Sequence, residues 1–243
     1  MSCWTVLPSV LLPYVCRALV FWYALLLSAL ALPVLAQAGH VTFTTNTVIT
    51  AGNRSYENFA VRVRGCTVTI EGEHTFHSLV VERFGMITHP PGVAGLHITV
   101  TNDLEVTRDG LIDLTGCGYG PGMGPGGGDV TTSNTGNGAS HGGSGGRGAP
   151  GSTGVRAPYG AIVSPLELGS GGGRADGGAG GGAVRLSVGG TLVLDGGILA
   201  NGENAGSGGG GSGGSIWIDA GVVTGSGFVQ AHGGSAITGG GGG

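Results

Sequence analysis

The sequence AVRLSVGGTLVL at residues 183–194 holds the pattern from which the rest of the chain can be interpreted. Apolar and mostly polar residues alternate from Val184 to Val188, which is the period of two expected of a half-buried strand. A second apolar pattern follows at Leu192–Leu194 and a third at residues 198–202. The same order of three short patterns recurs twice, beginning at Leu96 and at Ile216. Three short strands per unit, repeated along a chain, indicate a solenoid.

Earlier segments are poorer in glycine but repeat the rhythm, with apolar positions at Val61, Leu79 and Ile98. Their spacing of about twenty residues suits one turn of a parallel β-helix and is too short for a βαβ unit, which needs about 30 or more. The usual hand of such crossovers is right-handed. The sequence therefore predicts an all-β, right-handed parallel β-helix with long glycine-rich loop insertions, after an N-terminal signal helix.

The composition excludes several classes of protein. Glycine supplies 57 of the 243 residues, and charged residues make up only 10%. Lysine is absent and the formal net charge is −4, which argues against a basic patch for nucleic acid. So much glycine disfavours helical bundles, and the absence of a strict three-residue period excludes collagen.

Residues 1–38 have the three parts of an export signal. Arg17 precedes an almost unbroken apolar run from Ala18 to Leu35, and small residues follow at Ala36 and Ala38. This pattern predicts a cleaved signal peptide and a secreted or cell-surface protein. An uncleaved membrane anchor is the alternative, because the run approaches the roughly 20 residues that a bilayer requires.

The remaining chain divides by composition into three segments. Residues 39–115 are predicted to form N-terminal coils, 116–182 a glycine-rich insertion, and 183–243 glycine-rich coils. The glycine tracts are predicted to be flexible loops, and polyglycine-II-like packing with backbone bonds between segments is the alternative. The last coil, around Ile216–Val229, lacks a polar cap. We therefore expect this chain to be the N-terminal piece of a longer protein, with possible self-association at its open end.

Two cysteines, Cys66 and Cys117, follow the leader. An exported protein permits one disulfide between them. Cys66, however, lies in an alternating strand pattern and Cys117 in a glycine turn. A buried, inert thiol is the preferred interpretation of Cys66, and the pairing of the two is left open.

Ala183–Leu192 with its flanking glycine runs, and Gly213–Ile218, resemble the glycine-rich repeats of large secreted β-helix surface proteins, both adhesin-like and autotransporter passenger-like. The resemblance covers about residues 96–243. It implies a cell-surface or extracellular structural role and carries over no catalytic, cofactor-binding or metal-binding residue.

Several short motifs match catalytic or metal-binding patterns by composition alone. Ser140, Ser144 and Ser212 each lie in a G-x-S-x-G match, but no strand-to-helix turn is predicted around them. His74 and His77 are predicted to be exposed turn residues without a third metal ligand. Asp103, Asp109 and Asp113 are candidate oxygen ligands for a hard cation on a turn.

The function predicted from the sequence is a secreted or cell-surface structural or adhesive protein without catalytic activity or cofactor. Its expected partners are surface glycans or other extracellular matrix components. The alternative is a pectin-lyase-like enzyme acting on polysaccharide, in which Asp103 or Glu105 approaches Asp195 from a neighbouring coil. An enzyme should gather two or three acids in one groove, whereas an adhesin should leave them scattered.

Overall fold

The computed structural model describes residues 38–150 and 152–236. Ala38–Gly243 forms a compact unit of its own. The predicted signal segment, apart from Ala38, lies outside the described residues. The described residues hold fourteen strands and no helix. The strands are β1 (His40–Phe43), β2 (Thr47–Ile49), β3 (Ala60–Arg64), β4 (Thr67–Ile70), β5 (Glu73–Phe76), β6 (Ser78–Glu82), β7 (Met86–Thr88), β8 (Leu96–Val100), β9 (Leu104–Val106), β10 (Leu111–Asp113), β11 (Ala183–Leu194), β12 (Gly197–Leu199), β13 (Ser215–Thr224) and β14 (Phe228–Gln230).

The strands form two sheets in which every pairing is parallel. Sheet A has eight strands in the order β1-β3-β6-β9-β11-β8-β5, with β13 also paired to β11. Sheet B has six strands in the order β14-β12-β10-β7-β4-β2. Sheet A branches because β11 is long: its first half pairs with β8 and its second half with β9.

The prediction of a right-handed parallel β-helix is wrong, although the all-β class is confirmed for the described residues. Sheet A curls into a half-barrel and sheet B is flat, an arrangement closer to the parallel sheets of α/β proteins than to a solenoid. The predicted separate strands at Val184–Val188 and Leu192–Leu194 are joined in β11. Gly189 and Gly190 permit this, since the register between β11 and β13 shifts at this point and the chain continues without a turn.

The apolar core consists of columns of side chains that the parallel register stacks. In sheet A the column Val61, Leu79, Leu104, Leu192 is buried at every position. In sheet B the column Val68, Ile87, Ile112, Ile198 is fully buried. Each buried Leu or Ile contributes about 1.5–3 kcal/mol relative to an exposed side chain.

Cys66 and Cys117 are free and buried, which confirms Cys66 as a core residue.

The prediction that the glycine tracts are flexible loops is also wrong, although they contain no strand or helix. Residues 116–148, 169–182 and 200–214 pack together, and we call them the glycine layer. The amide of Gly173 donates to the carbonyl of Asn137 at 2.8 Å, and that of Gly178 donates to Gly209 at 3.0 Å. A Cβ atom at Gly172 would overlap the carbonyl oxygen of Gly209. The tracts stay together because hydrogen-bonded backbones can approach this closely only when side chains are absent.

Candidate functional site

The serines of the three G-x-S-x-G matches have no geometry for nucleophilic attack. The Ser140 hydroxyl donates to the carbonyl of Arg156 at 2.6 Å and accepts from the amide of Gly145 at 2.9 Å. The Ser212 hydroxyl accepts from the amide of Ser170 at 2.8 Å, and Ser144 is exposed. No described helix follows any of them. Ser140 and Ser212 therefore satisfy backbone groups of the glycine layer.

His74, the first histidine of the pair at residues 74 and 77, is structural. His74 lies in β5 and is only 2% exposed, so the prediction of an exposed turn residue is wrong for it. Its Nδ1 lies 2.9 Å from a Glu57 carboxylate oxygen and its Nε2 lies 3.1 Å from the Glu71 carbonyl. Both ring nitrogens are thus engaged. The described part of the chain contains no cluster of three His, Cys, Asp or Glu side chains able to hold a metal ion.

The Glu57 carboxylate joins His74 to the backbone of β5. Burial acts to raise the pKa of Glu57, but hydrogen bonds from the Thr75 amide, His74 and Arg54 outweigh it and leave that pKa below its usual value. Glu57 is therefore ionised at neutral pH and holds the end of sheet A.

Two acids of the enzymatic alternative, Asp103 and Asp195, bond backbone amides. Asp103 accepts from the Thr191 amide at 2.7 Å, and Asp195 accepts from the Ser226 amide at 3.0 Å. Glu105 lies between Val80 and Val193 on the neighbouring strands. Asp113 accepts from the amide of Thr115. Asp103, Asp113 and Asp195 therefore hold turns.

The outer face of sheet A carries the most distinctive polar arrangement. The register places Glu73, His97, Arg185 and Trp217 side by side on β5, β8, β11 and β13. A second row runs parallel to it and consists of Thr75, Thr99, Ser187 and Asp219. Outward positions align in this way because adjacent parallel strands lie about 4.8 Å apart in constant register. We call these eight residues the outer-face groove.

The groove is continuous across the four strands. One depression of about 270 Å³ is lined by residues from Arg54 and Glu73 to Arg185, and a second of about 280 Å³ extends to Asp219. Thr99 and Ser187 line both. Four strands at this spacing span about 14 Å, so the groove suits an extended ligand.

Arg185 is the unusual residue of the groove. Its guanidinium carbon lies 4.4 Å from the centre of the Trp217 ring, which is a cation–π contact. Its Nε is buried without a hydrogen-bond partner, and no described carboxylate forms an ion pair with it. Arg62 and Arg156, by contrast, each pair with an acid at 2.9 Å. Arg185 thus presents an uncompensated charge to the groove.

Trp217 is an aromatic of the kind that stacks on sugars, but no sequence motif singles out Arg185. The alternation of Val184–Val188 already places Arg185 on the outer face of its strand. Its neighbours, His97 and Trp217, follow only from the register.

A separate depression, larger than the two in the outer-face groove, lies at the edge of the glycine layer. It has a volume of about 510 Å³ and contains His141 and Tyr159, whose ring centres are 4.7 Å apart. His141 is buried, which lowers its pKa, and its Nδ1 lies 2.9 Å from the Gly213 carbonyl. Burial raises the pKa of Tyr159 to about 12, and its hydroxyl donates to the Leu168 carbonyl.

Glu167 holds the loop that forms one wall of this larger depression. Burial alone raises its pKa, but backbone amides, including those of Leu166 and Ala161, outweigh this and lower it. The carboxylate holds the loop at residues 160–166. The contacts of Tyr159 and Glu167 therefore stabilise the chain around the depression.

Comparison with family models, curated proteins and solved structures finds no match for this chain. No helix among the described residues has the length and apolar character needed to cross a membrane.

Proposed function

We propose that this chain is a secreted or cell-surface adhesive protein that binds carbohydrate in the outer-face groove without catalysis. The observation that carries the proposal is the uncompensated guanidinium of Arg185 stacked on Trp217. Arg185 lines the depression and forms no ion pair with a described acid, so its guanidinium is available to an anionic ligand group.

The chemistry of the groove favours sugars that carry a carboxylate. A guanidinium binds carboxylates with two parallel hydrogen bonds, which a neutral sugar does not offer. The exposed part of Trp217 supplies an apolar surface for the carbon–hydrogen face of a sugar ring. Thr75, Thr99 and Ser187 add hydroxyl groups that both donate and accept. An acidic polysaccharide combines all three features when its carboxylates lie at Arg185 and away from Glu73 and Asp219, the two acids at the ends of the groove.

The test is binding of purified residues 38–243 to matched carboxylated and neutral glycans. Arg185→Met should lower affinity for carboxylated glycans by about tenfold or more, because a charge-assisted hydrogen bond contributes about 1.5–3 kcal/mol. Trp217→Ala should weaken both ligand classes. Arg108→Met and Phe84→Ala are the matched controls, since both residues are exposed and lie outside the groove.

Three outcomes would overturn the proposal. They are the absence of glycan binding, equal affinity for carboxylated and neutral sugars, and retention of binding by Arg185→Met. Release of oligosaccharide products from the bound polysaccharide would instead indicate an enzyme. Thermal unfolding of each variant shows whether a loss of binding reflects a loss of the fold.

A further inference from the structure

Acidic residues lie at the two ends of the outer-face groove. Glu73 lies on β5 with its side chain 80% exposed, and Asp219 is exposed on β13. Arg185 lies between them, and His97 separates it from Glu73 in the register. The spacing of parallel strands puts the Arg185 backbone about 10 Å from that of Glu73 and about 8 Å from that of Asp219. Two negative charges therefore flank the unpaired cation of the groove.

The groups beside these two acids do not neutralise them. Arg54 donates to the backbone carbonyl of Glu73 at 2.7 Å, but its ion pair, at 3.2 Å, is with the Glu57 carboxylate. The His97 Nδ1 lies 3.2 Å from the Glu73 carboxylate, and a neutral imidazole donates a hydrogen bond there without changing the charge. Asp219 forms no ion pair with a described residue.

This arrangement of charges limits how many carboxylates a ligand can bring to the groove. One carboxylate can bind the Arg185 guanidinium. A carboxylate on the next sugar in either direction would approach Glu73 or Asp219 and be repelled. The chain has no lysine and a formal net charge of −4, so its overall field also opposes a polyanion. Hydroxyl groups of neutral sugars, by contrast, can donate hydrogen bonds to both acids.

We propose that the outer-face groove selects glycans in which one carboxylated sugar is flanked by neutral sugars, and that it rejects polymers with a carboxylate on every sugar. Glu73 and Asp219 are then specificity residues that act by repulsion of the wrong ligand. This inference rests on the proposed glycan-binding function and names the ligand class of the same groove.

The test compares the binding of two trisaccharides to residues 38–243. The first is a galacturonate trimer, which carries a carboxylate on every sugar, and the second has one central glucuronate between neutral sugars. Measurement at pH 8 and low salt keeps ordinary imidazoles neutral and limits screening. The singly carboxylated ligand should bind at least about threefold more tightly, because each exposed pair of like charges has a modest effect on affinity.

The double variant Glu73→Gln/Asp219→Asn should raise affinity for the galacturonate trimer by at least about threefold and leave the other ligand nearly unchanged. Glu105→Gln/Asp109→Asn is the matched control. It removes the same two charges by the same substitutions, at exposed positions that do not line the groove. The control should keep the preference of the parent chain, which separates local repulsion from net charge. Thermal unfolding shows that each variant retains the fold.

The outcomes distinguish this inference from the function on which it rests. Equal or tighter binding of the galacturonate trimer by the parent chain would overturn the inference and leave glycan binding in place. So would a preference that survives Glu73→Gln/Asp219→Asn, or one that the control loses equally. Absence of binding to both trisaccharides would overturn the proposed function, and this inference with it.

Discussion

The carbonyl oxygen of Asn137 lies where a side chain at Gly209 would begin. Asn137 is fully buried, and its side chain also accepts from the amide of Gly148 at 2.8 Å. The backbones at Asn137 and Gly209 cannot move apart without breaking the hydrogen bonds that each makes to another segment. Glycine is therefore required at position 209 by the closeness of two backbones.

The substitution Gly209→Ala should destabilise the protein by about 1–3 kcal/mol or more, the usual cost of forcing extra atoms into a packed interior. Gly206→Ala is the matched control in the same tract, because a Cβ there meets nothing within 4 Å. Urea unfolding midpoints measure the difference. Equal midpoints for the two variants would contradict the close packing of the glycine layer.

His89 makes stability depend on pH. It is 1% exposed, its Nδ1 lies 2.9 Å from the Pro90 carbonyl, and its Nε2 accepts from the Ala183 amide at 3.2 Å. Burial lowers its pKa below the usual value, despite the opposing bond to Pro90. The unfolded chain therefore binds a proton more readily than the folded one. Stability should fall as pH decreases below about 6.5, by at most about 1.4 kcal/mol per pH unit for this group.

The variant His89→Gln should weaken this dependence between pH 7 and pH 5, measured by urea unfolding at each pH. His141 acts in the same direction, because burial lowers its pKa too, so part of the dependence should remain. The control His40→Gln, at an exposed position of β1, should keep the full dependence. A steeper loss in His89→Gln than in the parent chain would refute this role.

At the scale of strands, local patterns predict those elements that have one buried face. The alternation at Leu96–Val100, Val184–Val188 and Ile216–Ala220 matches β8, β11 and β13. The pattern fails at Gly189 and Gly190, where residues without side chains give no sign of whether the strand ends or continues. The groove could not be predicted either, because His97 and Arg185 become neighbours only when β8 pairs with β11, and residues 101–182 separate these strands in the sequence.

The glycine layer could be predicted only as an alternative to flexible loops, for a related reason. Periodicity reports which side chains are buried, whereas this layer is held by peptide groups that every residue shares. The amides of Gly173, Gly178 and Gly181 each donate to a carbonyl in another segment of the layer.

Hydrogen exchange distinguishes a layer from loops directly. Amides of Gly173, Gly178 and Gly181 should exchange about as slowly as those of β11, because opening them requires separation of packed segments. Ile162 and Val163, on the exposed tip of the loop at residues 160–166, should exchange rapidly. Fast exchange throughout residues 169–182 would show that the tracts are flexible after all.

At the scale of the molecule, Ala38–Gly243 combines two kinds of interior. Columns of Val, Leu and Ile fill the core, while hydrogen-bonded backbone fills the glycine layer. Ordering glycine costs more conformational entropy than ordering any other residue, so the layer depends on nearly complete bonding of its peptide groups.

The glycine layer also has a consequence for behaviour in the cold. Unfolding exposes hydrocarbon from an ordinary core, which raises the heat capacity, whereas exposure of peptide groups lowers it. A protein with this much buried backbone should therefore have a heat-capacity change per residue below the usual value of about 12–15 cal/mol/K. Its stability curve should be correspondingly flat. Apolar attraction weakens on cooling, but the bonds between Gly173, Gly178 and their partners do not rely on it, so the fold should keep much of its stability near freezing.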